Sequence, residues 1–327
     1  MAYQQVKTCR FFVNVLEWGA ANNGYSYYTE NGEEGISLNN RFRTLPVNPV
    51  LYYNENDDAP IHKVVGFGEQ SFAFLLGHNL VSSGDRRLTI FTKEFGAESG
   101  TEIDLNILAN GYQGEGFGGS DVCYPSYDGW SLVSFNATNV EYVQIRDFAG
   151  GSAKAGSIIV GTYYDMPHSP DLNLSLSYDY SGVKEITTRG GASLSNSFYS
   201  KPPMWGDLGA WELGDGSENQ NLSRSGRKIY DLSFSFLSQE NVFPKYDQLN
   251  TLASDPNAVD PEQYTLQGSD DFFSQVVMKT QMQLPFIFQH DNTENSFIIA
   301  KFDKNSFTLQ QTAPNLYSVK CRIKEVW

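Results

Sequence analysis

Residues 172–178 read LNLSLSY. Apolar and small polar side chains alternate strictly there, placing Leu172, Leu174, Leu176 and Tyr178 on one face of an extended chain. The same texture recurs along the sequence. Upstream, residues 9–16 (CRFFVNVL), 25–28, 71–76 (SFAFLL), 87–92 (RLTIFT), 130–135, 142–146 and 157–163 are short alternating or apolar runs. Downstream, strand-like runs recur at 229–237 (IYDLSFSFL), 284–289, 297–302, 307–311 and 317–326. Turn signals stand between them: Asn22-Asn23-Gly24, residues 54–58 (NENDD), Gly77-His78-Asn79 and Ser83-Gly84-Asp85. Short strands at regular spacing, broken by turns, predict a mainly β protein of sandwich or barrel type.

Composition agrees. Of 327 residues, 40% are hydrophobic and 14% aromatic, with 22 Phe and 19 Tyr, so the chain can fill real cores. Aromatic and β-branched residues suit a pleated, half-buried surface, and 29 Gly and 13 Pro fit many turns. The net charge is −15. Residues 1–165 carry 10 basic and 19 acidic side chains, and residues 166–327 carry 13 and 19. Neither half has a basic cluster, so neither nucleic acid nor an anionic membrane surface is an expected partner. No apolar run approaches the length of a spanning helix, and residues 1–10 lack the apolar core of a signal peptide. Cys9, Cys123 and Cys321 are odd in number and widely spaced, which reads as buried reduced thiols rather than a disulfide or zinc framework.

Residues 166–171 (MPHSPD) hold two prolines in four residues and mark the expected domain junction. The expected organisation is an N-terminal β arm at 1–60, which could equally be part of the first domain, a β-sandwich at 61–165 and a second β domain at 166–327. The second domain is expected to hold one short helix, at residues 270–279 (DDFFSQVVMK). Ser269 or Asp270 would cap it, Lys279 would sit at its negative end, and Phe272/Val276 and Phe273/Val277 would form its apolar face.

Catalytic signatures are missing from the sequence. The four histidines, His62, His78, His168 and His290, form no HxH or HxxxH pair, and no serine sits in a GxSxG elbow. The acid pairs Glu33-Glu34, Asp57-Asp58 and Asp270-Asp271 are adjacent in turns or at a helix start, not set across a cleft as glycoside hydrolysis needs. Residues 54–58 offer oxygens for Ca²⁺ without EF-hand spacing, and a solvated turn explains them as well. The glycines between 110 and 120 lack the lysine and helix of a nucleotide loop. No enzyme, metal or cofactor is expected. His78 and Asn79 are either the turn that pins a strand end or a polar rim that hydrogen-bonds sugar. Trp205 and Trp211, in the loop 201–227, are candidate interface or glycan contacts, with a buried core role as the alternative.

Four segments together resemble virion tail proteins of tailed bacteriophages, of the distal-tail or minor-tail type. Residues 74–80 (FLLGHNL), 87–91, 142–146 (YVQIR) and 156–161 (GSIIVG) resemble the strand order of a discoidin-like, galactose-binding-type jelly roll. Residues 164–172 (YDMPHSPDL) resemble the exit from such a domain. Residues 225–236 (SGRKIYDLSFSF) resemble the "GRR-x-W-x-L-x-F" strand of minor tail proteins, departing from it at Lys228 and Tyr230. Residues 284–289 (LPFIFQ), 299–302 (IAKF) and 323–327 (IKEVW) resemble their closing strands. The resemblance implies a virion component made in a bacterial cytoplasm. Its partners would be other tail proteins and copies of itself, in a ring or trimer. The alternative is a carbohydrate- or receptor-binding module that meets a host-surface glycan. At the C-terminus, Val319, Cys321 and Ile323 are expected to face a core, Lys320, Arg322 and Lys324 to find acidic partners, and Trp327 to pack against protein.

Overall fold

The computed structural model describes residues 7–21, 27–28, 43–44, 50–52, 61–63, 70–76, 86–91, 102–106, 112–113, 130–137, 142–147, 153–155, 157–179, 183–197, 204–205, 208–209, 227–243, 270–294, 297–304 and 306–326. The chain is mainly β. Its principal strands are β1 (Arg10–Asn14), β2 (Gln70–Leu76), β3 (Trp130–Ala137), β4 (Ser157–Asp165), β5 (Ser175–Asp179), β6 (Val183–Thr187) and β7 (Ser193–Ser197). They continue with β8 (Arg227–Ser238), β9 (Phe286–Gln289), β10 (Phe297–Phe302), β11 (Leu309–Ala313) and β12 (Leu316–Glu325). An 11-stranded sheet runs in the order β5-β8-β12-β10-β9-β1-β4-β2-β3, closed by Tyr112–Gln113, with β11 pairing β12 off this path. A second, five-stranded sheet is ordered Tyr27–Tyr28, Ile61–Lys63, Tyr142–Asp147, Arg86–Phe91, Glu102–Asn106.

Strand β1 lies inside the large sheet, antiparallel to β4 on one side and to β9 on the other. A strand covered on both faces should be apolar on both, and residues 11–13 read FFV. Phe11 points into the larger core cluster, with ring centroids 5.2–5.6 Å from Phe272, Phe286 and Phe288. Phe12 points the opposite way, 5.0 Å from Phe72 and 5.2 Å from Phe74, in the smaller cluster. Both rings are fully buried. β1 is thus the joint at which strands from before and after residue 166 meet in one sheet. Met166 follows β4 directly, is buried in the larger cluster, and donates its backbone N–H to the Cys9 carbonyl. The position opposite Asn14 in β4 is Gly161, where a Cβ would stand 1.9 Å from the Val13 carbonyl oxygen. That approach admits only glycine.

The strand expected over residues 9–16 stops at Asn14, and the helix α1 (Val15–Ala21) begins there. Asn14 is its cap: Oδ1 accepts the N–H groups of Leu16 and Glu17 at 3.1 and 3.2 Å. The expected helix at 270–279 is present in a different form. Its body, Phe273–Met278, is a π-helix. Asp271 holds its start, accepting the Ser274 N–H on Oδ1 at 2.8 Å; of the two expected caps, Ser269 lies outside the described residues. Phe272, Val276 and Val277 are buried, whereas Phe273 is only partly so. Lys279 is itself buried instead of capping the exposed end. A four-residue helix, Gln239–Val242, adds to these.

Candidate interaction surface

Strand β5 closes one end of the large sheet. The strand expected over 172–178 begins only at Ser175, because residues 171–174 form a turn in which the Leu174 N–H donates to the Asp171 carbonyl at 3.2 Å; the placement of β5 is set by Asp171. The Asp171 N–H donates to the Ser233 carbonyl at 2.8 Å, and its carboxylate accepts the hydroxyls of Ser233 and Ser235 at 3.1 and 2.8 Å. From that anchor β5 pairs antiparallel with β8, Leu176 opposite Tyr230 and Tyr178 opposite Lys228. Tyr230 belongs to the larger core cluster, and Leu174 packs against that cluster. The apolar face of β5 therefore continues the core layer outward, yet it is not covered. On β5 Leu176 is 42% and Tyr178 45% exposed, and Leu172, in the turn before it, is 86% exposed.

Phe236 is 74% exposed on the neighbouring strand. It sits in an irregularity of β8 between Phe234 and Leu237, with φ at 63°. Left-handed backbone is unfavourable for a bulky side chain and costs of order 1–3 kcal/mol. A bulge of this kind re-aims a side chain. Here it leaves a large aromatic ring in solvent beside Ser235, the residue that Asp171 holds. Leu172 and Phe236 thus each flank the Asp171–Ser235 hydrogen bond.

The opposite face of β8 and β12 is polar. A shallow groove of about 280 Å³ is lined there by Asn173, Asp231, Ser233, Lys304, Lys320 and Arg322, among others. Arg322 pairs with Asp303 at 3.0 Å and with Asp231 at 3.7 Å, and Lys324 pairs with Asp179 at 2.9 Å. Two of the cations expected to seek acidic partners, Arg322 and Lys324, find them within the chain, and Lys320 is exposed. These surface pairs stabilise by about 0–1 kcal/mol each. On the core side of the same strand Val319, Cys321 and Ile323 are buried, as their alternation implies.

One buried polar cluster lies under the π-helix. The Lys279 ammonium donates to Gln275 Oε1 at 2.6 Å and reaches Thr162 Oγ1 at 3.4 Å. Burial lowers its pKa from 10.5 to about 8, and the charges of Asp270 and Asp271 oppose that shift. Cys9 and Cys321 are free, buried thiols. Burial pushes both up, Cys321 to about 12, which leaves them unreactive.

Of the sequence-predicted contacts, His78, Asn79 and Trp211 lie outside the described residues, as do Cys123, Trp327 and the loop 110–120 apart from the short strand Tyr112–Gln113. Trp205 falls on the short strand Met204–Trp205, whose side chains are not described. Among the described residues the structure exposes Leu172, Leu176, Tyr178 and Phe236, none of which the sequence marked as a contact. The alternation of 172–178 was the available signal for three of them. Among the described residues no group of three or more His, Cys, Asp or Glu side chains is placed to hold a metal ion. Among the described residues no helix is long and apolar enough to cross a membrane. No protein-family model, curated protein or solved structure matches the chain.

Proposed function

We propose that this chain is a structural component of a tailed-phage tail, near the tail tip, and that it works by assembling with copies of itself and with other tail proteins. One observation carries the reading beyond the sequence resemblance: a large apolar set is left in solvent at one end of the main sheet. Scattered exposed apolar residues are ordinary, but several large ones on and beside the last strand of a sheet suit an assembly interface. The acidic, β-rich composition and the lack of a catalytic signature in the sequence fit the same reading.

Sedimentation velocity over a wide concentration range tests the proposal. The expected result is a reversible shift from monomer to a defined multimer. A monomer at every concentration, with specific binding on a glycan array, would instead favour the carbohydrate-binding alternative.

A further inference from the structure

Directly after β5 comes a β-hairpin that sequence reading passed over. Strands β6 and β7 pair from Val183↔Ser197 to Thr187↔Ser193 and form a two-stranded sheet of their own. The turn is closed by Thr188, whose backbone carbonyl and hydroxyl accept the N–H groups of Gly191 and Ala192 at 2.9 and 3.1 Å. Gly191 takes φ of 82° there. Beyond each other, neither β6 nor β7 packs extensively against any described element. Isolated two-stranded hairpins are marginal in water. This one also bears an apolar cross-strand pair in solvent, Ile186 opposite Leu194, 56% and 60% exposed.

One molecule therefore presents two unsatisfied apolar surfaces: a hairpin arm, and the open end of the sheet at β5. The β5 strand lacks the features that normally protect an edge. It contains no proline, no lysine and no bulge. Its one charged residue, Asp179, is engaged by Lys324 at 2.9 Å. The arm's charge suits a second copy. Residues 183–197 carry Lys184 and Arg189 against Glu185, a net +1 in a chain of −15, so another copy attracts the arm while the two bodies repel.

Resting on the assembly reading above, we propose that the hairpin 183–197 of one copy docks on the β5 edge of the next. It adds its backbone to the sheet and lays Ile186 and Leu194 over Leu176 and Tyr178, with Leu172 and Phe236 bounding the site. Donor and acceptor are different surfaces, so the contact is heterologous and closes into a ring or trimer when its rotation allows. That distinguishes it from a two-fold pairing of β5 with β5.

Two variants and their mixture test this by sedimentation velocity of the full chain. Ile186→Asp with Leu194→Asp disables the arm, and Leu176→Asp with Tyr178→Asp disables the acceptor. Each alone is expected to weaken assembly about a hundredfold or more, because every contact would bury a charge. Mixed in equal amounts they should form a dimer and nothing larger, since only one donor and one acceptor remain. An arm variant that assembles like the unaltered chain would overturn the docking proposal and leave the assembly reading standing. An unaltered chain that never assembles would overturn both. The substituted side chains are exposed, so near-ultraviolet circular dichroism should be unchanged. If a variant fails to fold, hydrogen exchange on the unaltered chain decides: amides of 175–179 and 183–197 should gain protection on assembly, and fast exchange in the multimer would overturn the docking.

Discussion

At the residue scale, the most constrained position is Gly161. Any side chain there drives a Cβ into the Val13 carbonyl, and that carbonyl cannot move without breaking the β1–β4 ladder. Gly161→Ala is expected to destabilise the fold by about 3 kcal/mol or more, at the upper end of overpacking costs, read as a lowered urea midpoint. Phe236 is constrained in the opposite sense. Its left-handed backbone would be relaxed in Phe236→Gly, a gain offset by the entropy of a more flexible unfolded chain. The expected result is stability within about 1 kcal/mol of the unaltered protein, together with weaker assembly. A substantial loss of stability with unaltered assembly would mean that Phe236 serves the fold and not an interface. Gly161 was part of the GSIIVG motif read from sequence, but its reason was not legible there, because the atom that excludes a side chain lies on a strand about 150 residues away.

At the element scale, period-2 patterning located most strands of the large sheet. Residues 297–302 were bounded as observed, and 71–76, 142–146 and 229–237 fell within a residue or two. The misses have physical reasons. Val15 and Leu16 prolong the apolar run of β1, so the cap at Asn14 is masked by hydrophobicity that continues into α1. The hairpin β6–β7 has few apolar residues and faces solvent, so it carries little alternation. The π register of Phe273–Met278 has no local sequence mark, and it carries Lys279 inside. The pH dependence of that lysine can be signed. Its folded pKa, about 8, lies below its ordinary 10.5, so between these values the unfolded chain binds more protons and stability rises with pH. Cys9 and Cys321 act oppositely from their ordinary 9.0 upward, because their folded values are raised. Between pH 8 and 9 stability should therefore increase by up to about 1.4 kcal/mol per pH unit, and Lys279→Met should flatten the rise. Thermal melts across that window measure it; an unchanged slope in the variant would contradict the assignment to Lys279. The end of β12 makes a second case. Lys324 holds Asp179, Glu325 Oε2 accepts the Lys228 N–H at 2.7 Å, and the Val326 N–H donates to Ile299. Removing residues 324–327 should lower the melting temperature and weaken assembly, because Lys324 braces β5. A truncated chain as stable and as associated as the full one would refute that role.

At the scale of the whole molecule, a long-range arrangement decides both fold and surface. The central place of β1, paired with a strand near residue 160 and another near 288, cannot be read from local pattern, since its partners lie about 150 and about 275 residues away. The same holds for the surface: the alternation of 172–178 specifies a strand with an apolar face, but only its position at the end of the sheet leaves that face in solvent. Under the proposed assembly such a face would be covered, as would the exposed apolar pair of the arm that follows it. Negative-stain electron microscopy of the purified full-length chain tests this most directly. The account predicts closed particles of one symmetry, rings or trimers, in which neighbouring copies are joined at the sheet end. Single separate molecules at every concentration that allows imaging would contradict it.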